Sequence, residues 1–158
     1  MRTRLLCFVA LLPSIGGCLD KISAPTCSPV AFTQASVSGD TITTTTGLRF
    51  IEGAVGPGLA VDWCNTIAMH YDAFLLDGTQ FDSSRDADAL LVFSPGLGDL
   101  IDGLEQGVIG VRAGGTRRLI IPPALGFGSE PRRGLDGQIV IPGNSTLVYD
   151  IEVLQIAQ

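Results

Sequence analysis

Apolar and polar positions alternate most clearly near the C-terminus. Leu147, Tyr149, Ile151 and Val153 fall on one side of a two-residue period, with Asp150 and Glu152 on the other. That period predicts a half-buried β-strand over Thr146 to Ile156. Thr66 to Leu76 is a second predicted strand, and Asp77-Gly78 after it is a strong hairpin signal. Thr79-Gln80-Phe81 restarts a strand, and Leu90 to Phe93 is a short apolar one. Thr116 to Ile121 is another, stopped by Pro122-Pro123. Asp99 to Gln106 has a helical period instead. Leu100, Ile101, Leu104 and Val108 share one face, and Asp102 and Glu105 the other. Asp99 is placed to cap this helix and Gly107 to end it. One short helix among several antiparallel strands predicts an α+β domain whose sheet packs on that helix.

Other stretches lack such a period. Residues 19–46 are rich in Ser, Thr, Pro and Ala and end in Thr43-Thr44-Thr45-Thr46. They read as a tether, with some strand from the β-branched residues. Gly56-Pro57-Gly58 marks a turn, and residues 126–138 read as a loop of Gly, Pro and charge.

The N-terminus reads as an address. Arg2 and Arg4 precede an apolar run from Leu5 to Leu12, followed by small residues and Cys18. This is the layout of a secretory signal. The run is far short of the roughly 20 apolar residues a spanning helix needs. Ile15-Gly16-Gly17-Cys18 resembles a bacterial lipoprotein box, which implies cleavage before Cys18 and acylation of that residue. The alternative is an ordinary signal peptide that happens to contain Cys18. Two or three acyl chains would anchor the chain stably. Leu19 rather than Asp follows the cysteine, which leans the expected location toward the outer membrane of a bacterial cell envelope, facing the periplasm. Cys7 leaves with the signal. Cys27 and Cys64 then remain in an oxidising compartment. Paired, they would close a loop of about 37 residues and contribute roughly 3–4 kcal/mol. The alternative is two free thiols.

Composition narrows the function. The 158 residues suit one domain. Lys and Arg number 10 against 16 Asp and Glu, a net charge of −6. Loss of residues 1–17 removes Arg2 and Arg4 and takes it to −8. So acidic a chain makes a poor nucleic-acid surface, which needs clustered Lys and Arg. The one histidine, His70, argues against multi-histidine zinc sites, and Cys27 and Cys64 lack ligand spacing. His70 reads as a structural residue in its strand. Gly96-Leu97-Gly98 lacks the third glycine and the βαβ context of a dinucleotide fingerprint. Arg117-Arg118 and Arg132-Arg133 read as solvated charges. No cofactor or metal is expected.

One set of short motifs remains. It begins with His70-Tyr71 and Asp77-Gly78, then Phe81-Asp82-Ser83-Ser84-Arg85. Gly103-Leu104-Glu105-Gln106-Gly107, Gly115 to Ile121 and Gly126-Phe127-Gly128 follow. Ile141-Pro142 and Thr146 to Glu152 close it. In this order the chain resembles the FKBP-type peptidyl-prolyl cis-trans isomerases, and Thr46-Gly47-Leu48-Arg49 resembles the entry strand of bacterial members. The implied organisation is a signal peptide at 1–17, a tether at 18–46 and the isomerase domain at 47–158. The implied fold is a bent antiparallel sheet of about five strands wrapped around one short helix. The resemblance implies a catalytic hollow between sheet and helix, formed by Tyr71, Phe81, Asp82, Phe127 and Tyr149. It implies substrate contacts from Leu91, Phe93, Leu100, Ile101, Leu104 and Ile141. Asp82 would orient the Tyr71 hydroxyl and present a negative field near the twisting carbonyl; its alternative role is a turn carboxylate on the Ser83 and Ser84 amides.

Three departures from the family pattern bear on strength. Leu104 stands where many members have Trp, Phe127 where many have Tyr, and Ala87 where an Arg often pairs with the pocket Asp. Modest activity and weak macrolide inhibition are expected. The implied partners are proline-containing, partly folded secreted or outer-membrane proteins, met by a membrane-tethered monomer. A peptide-binding module or holdase chaperone using the same hollow with little turnover is the alternative, and a surface lipoprotein of structural role a third.

Overall fold

The computed structural model describes Cys27, residues 34–38 and residues 40–157. The expected signal, most of the expected tether and Cys18 lie outside the described residues. Ten strands, one α-helix and one 3-10 turn follow in the order β1 Gln34–Ser38, β2 Thr41–Thr44, β3 Arg49–Glu52, β4 Thr66–Leu75, β5 Gln80–Ser83, β6 Leu91–Phe93, α1 Asp102–Gly107, β7 Gly115–Ile121, the turn Pro123–Leu125, β8 Arg132–Arg133, β9 Ile139–Ile141 and β10 Leu147–Ala157.

β10 is the spine. It pairs antiparallel with β4 on one side and β7 on the other. The sheet runs β1-β2-β3-β7-β10-β4-β5, with β6 also on β4, giving eight strands. β8 and β9 form a separate two-stranded ribbon. The alternation in β10 does what a half-buried strand requires. Leu147, Tyr149, Ile151 and Val153 are buried against the helix side, while Asp150 and Glu152 carry ion pairs with Arg118 and Arg85. The Asp77-Gly78 hairpin forms as its residues dictate. Gly78 takes φ +91°, and the Asp77 carboxylate accepts the Thr79 N–H at 2.9 Å.

α1 lies on β7 at close range. A Cβ added at Gly103 would strike the Ile121 side chain, and one at Gly107 the Leu119 side chain. The core is continuous from Leu48 and Phe50 through Ile67, Met69, Leu119 and Ile121 to Leu147 and Val153.

The strand count corrects the expectation of about five. β1 and β2 lie in the stretch read as tether. The expectation of some strand there holds: β1 alternates Ala35 and Val37 with polar residues over only five positions, and the threonines of β2 suit a pleated surface. The ribbon β8–β9 lies mostly in the stretch read as loop.

Two local readings are also corrected. α1 begins at Asp102, not Asp99, and Ile101 stands at its N-terminus with no side-chain cap. Glu105 does not face solvent. It is 6% exposed, and its carboxylate accepts N–H groups of Gly96 at 2.9 Å, Leu100 at 3.2 Å and Gly98 at 3.4 Å. Those amides, freed from any helix, need a buried acceptor, and Glu105 is the one within reach. Arg117 is not a solvated charge either. Its buried guanidinium donates to the Gly107 and Ile109 carbonyls at the helix C-terminus, pairs with Glu52, and lies 4.3 Å from the Phe50 ring centroid. His70 Nδ1 lies 3.0 Å from the Ser84 Oγ, within β4 and its neighbouring turn.

Candidate active site

The concave side of the sheet and the helix enclose an open hollow of about 550 Å³. Each wall comes from a different element. β4 supplies Tyr71, β5 Asp82 and β6 Leu91. Leu100 and Ile101 come from the segment that Glu105 holds, and Leu104 from α1 itself. Phe127 follows the 3-10 turn, and Tyr149 comes from β10. The period of two that buries Tyr149 and the helical face bearing Leu104 therefore meet at one place.

Three aromatic rings brace one another. Tyr71 and Tyr149 have ring centroids 5.7 Å apart, and Phe81 meets Tyr149 edge-on at 5.9 Å. The Tyr71 hydroxyl donates to the Asp82 Oδ2 at 2.7 Å, and the Ser83 N–H donates to Oδ1 at 2.9 Å. Asp82 thus holds the tyrosine with one oxygen and its own turn with the other. Burial, then the hydrogen bond to Asp82 and its negative charge, pushes the Tyr71 hydroxyl well above its ordinary range. Burial, then the charges of Tyr71 and Asp82, does the same to Tyr149. Both hydroxyls stay protonated at physiological pH and are not bases.

Eight of the eleven expected pocket residues line this hollow. Phe81 stands behind it, packed on Tyr149, and fronts a separate shallow depression with Gln80 and Asp86. Phe93 and Ile141 lie in the core, 6% and 5% exposed, and support the walls from behind. Cys27 and Cys64 are joined by a disulfide, with Cα atoms 5.8 Å apart. Another hollow, of about 370 Å³, is lined by the Arg118–Asp150, Arg85–Glu152 and Arg117–Glu52 pairs; its charges satisfy one another.

A family model described as FKBP-type peptidyl-prolyl cis-trans isomerase matches residues 62–154. The chain belongs to that family. Among FKBP relatives, peptidyl-prolyl cis-trans isomerase FKBP2 of Bos taurus is 40% identical over 123 residues, covering 73% of this chain and 83% of that one. The Arabidopsis thaliana protein named photosynthetic NDH subunit of lumenal location 4, chloroplastic, is 41% identical over 116 residues, or 70% of this chain and 54% of its own. The crystal structure of FkpA from Escherichia coli matches with a TM-score of 0.65 at 32% identity, over 76% of this chain and 53% of that one. The chain spans about half the length of these last two proteins.

The FKBP hollow also contains residues that were not expected to line it. Ala124, Leu125 and Gly126 close one side, and Asp99 and Asp102 stand exposed at the rim. Arg132 reaches in from β8, with its guanidinium carbon 4.9 Å from the Phe127 ring centroid. An Arg-Arg pair in a Gly- and Pro-rich stretch carries no periodic signal. The sequence reads Arg132 as a solvated charge, and the β8–β9 ribbon is what brings it to the hollow.

Proposed function

We propose that this hollow catalyses cis-trans isomerisation of X-Pro peptide bonds. The observation that carries the reading is the Tyr71–Asp82 pair at the wall of a hollow whose other lining is mainly aliphatic and aromatic, in a chain of the FKBP family. The X-Pro bond resists rotation by about 18–20 kcal/mol because amide resonance keeps it planar. That resonance places partial charges on the nitrogen and oxygen. Leu91, Leu100, Ile101, Leu104 and Phe127 replace water around those charges with hydrocarbon, which disfavours the planar, charge-separated amide relative to the twisted one. Rate follows from holding the twisted form better than either planar form. Tyr149, braced by Phe81 and Tyr71, is a rigid floor for the proline ring. Asp82 fixes the tyrosine and sets a negative charge beside the rotating carbonyl carbon. No nucleophile, metal or proton transfer enters the reaction.

The test is catalysed isomerisation of short X-Pro peptides by the purified protein, with Asp82→Ala and Phe81→Ala beside it. Turnover that falls in both variants supports the reading. A folded protein with no turnover above the uncatalysed rate contradicts it and leaves a peptide-binding or holdase role.

The setting is proposed with it. An N-terminal signal and an acylated Cys18 would place the domain on the outer side of a bacterial membrane, where proline-containing proteins fold after export. The Cys27–Cys64 disulfide fits an oxidising compartment, and the Arabidopsis relative is named for a lumenal location. Among the described residues no helix is long and apolar enough to cross a membrane. Incorporation of labelled fatty acid that disappears in Cys18→Ser supports the anchor; unlabelled wild-type protein contradicts it.

A further inference from the structure

We infer that Arg132 is a substrate-binding residue whose guanidinium donates hydrogen bonds to a backbone carbonyl of the bound X-Pro segment. The inference rests on the isomerase reading of the same hollow and adds a donor to it.

The hollow is rich in acceptors and poor in donors. Asp82, Asp99 and Asp102 offer carboxylates, and most of the remaining side chains are hydrocarbon. The Tyr71 hydroxyl proton is committed to Asp82. Tyr149 is buried, at 4% exposed. Among the exposed lining side chains, Arg132 on β8 is the donor. A peptide entering an apolar hollow loses water from its carbonyl oxygens, and a carbonyl left without a donor there is costly.

Arg132 is poised rather than engaged. Arg85, Arg117 and Arg118 each hold a carboxylate, and Arg112 and Arg133 hold backbone carbonyls. Among the described residues, Arg132 makes no ion pair and no side-chain hydrogen bond; its described contact is the face of Phe127. A guanidinium held over an aromatic face by its charge still has N–H groups to offer an acceptor. Phe127 has no hydroxyl of its own to offer, so the donor on this side of the hollow is the arginine lying on it. The carboxylates at Asp82, Asp99 and Asp102 make the alternative ligand, an acidic side chain beside the proline, unfavourable.

The experiment measures both affinity and turnover for a peptide panel that differs only in the residue before proline: Ala, Leu, Lys and Glu. Wild-type protein is compared with R132A and R132K, with thermal melting as the folding control. The expected result is binding weakened roughly three- to tenfold in R132A for every peptide. KM rises while kcat stays within about twofold, and R132K recovers part of the loss. R132A that binds the panel as wild type does overturns the inference. So does a loss confined to the Glu peptide, which would assign Arg132 to a side chain. Binding without turnover by the wild type would defeat the isomerase reading alone, since the affinity ratio still decides Arg132. A wild type that binds no member of the panel would defeat both.

Discussion

At the scale of single residues, the Tyr71–Asp82 hydrogen bond is the most specific polar feature of the hollow. Tyr71→Phe keeps the ring and removes the 2.7 Å contact, leaving Asp82 without its phenolic donor. A hydrogen bond to a charged group contributes about 1.5–3 kcal/mol, so kcat/KM is expected to fall about tenfold or more, read from peptide isomerisation rates. The two tyrosines also predict a pH dependence of stability. Both are raised in the folded protein above the ordinary value of 10.0, so the fold prefers the protonated phenol. Their contribution is full below pH 10 and is lost as pH rises beyond it, because the unfolded chain releases these protons first. Melting temperatures taken from pH 8 to pH 11 should fall at the alkaline end, and less steeply in Tyr71→Phe. Tyr71, Asp82 and Tyr149 were legible in the sequence because short motifs and a two-residue period carry them. Arg132 was not, because its role depends on a ribbon folding back over Phe127.

At the scale of elements, the wall between β6 and α1 depends on a carboxylate the helical wheel assigned to solvent. Glu105 gathers amides of Gly96, Gly98 and Leu100 and thereby fixes Leu100 and Ile101 in the hollow. Periodicity places a residue on a face; it does not say that a preceding loop will wrap over that face with its amides pointing inward. Glu105→Ala leaves those amides unsatisfied, and a loss of about 2–4 kcal/mol is expected from urea unfolding. The helix–sheet contact makes a second prediction. Gly107→Ala drives a methyl into the Leu119 side chain, and overpacking of this kind costs about 1–3 kcal/mol, visible as a lowered urea midpoint with an unchanged slope. The motif around Gly103 and Gly107 was legible as a family signature, while its physical reason, the close approach of α1 to β7, needed the fold.

At the scale of the whole molecule, the central strands and β5 and β6 beside β4 were readable, and the bounds of β1 and β2 at the opposite edge were not. β4, β7 and β10 combine strong alternation with a hairpin signal or a proline stop, and they occupy the middle of the sheet. β1 and β2 form one outer edge, β1 pairing with β2 and β2 with β3, and both are short, with β2 rich in threonine. The first described residue, Cys27, is tied to Cys64 across 37 positions, and its sulfur lies 3.5 Å from the Pro95 carbonyl oxygen. The bond therefore spans from before β1 to the segment ahead of β4. Reduction, or Cys64→Ala, should lower stability by about 2–4 kcal/mol, measured as the shift of the denaturation midpoint with and without reductant. The hollow lies between β4, β10 and α1, so a modest change in peptide turnover is expected on reduction while the protein stays folded.

The proposed activity requires that rotation about the X-Pro bond be accelerated in the hollow itself. The most direct measurement is magnetisation exchange between the cis and trans signals of one X-Pro peptide in the presence of a small amount of the protein, repeated with Asp82→Ala. Exchange that appears on a subsecond timescale with the wild type, and slows at least tenfold in the variant while the fold is intact, is the predicted result. Exchange no faster than in peptide alone, from a protein that still binds the peptide, would contradict it.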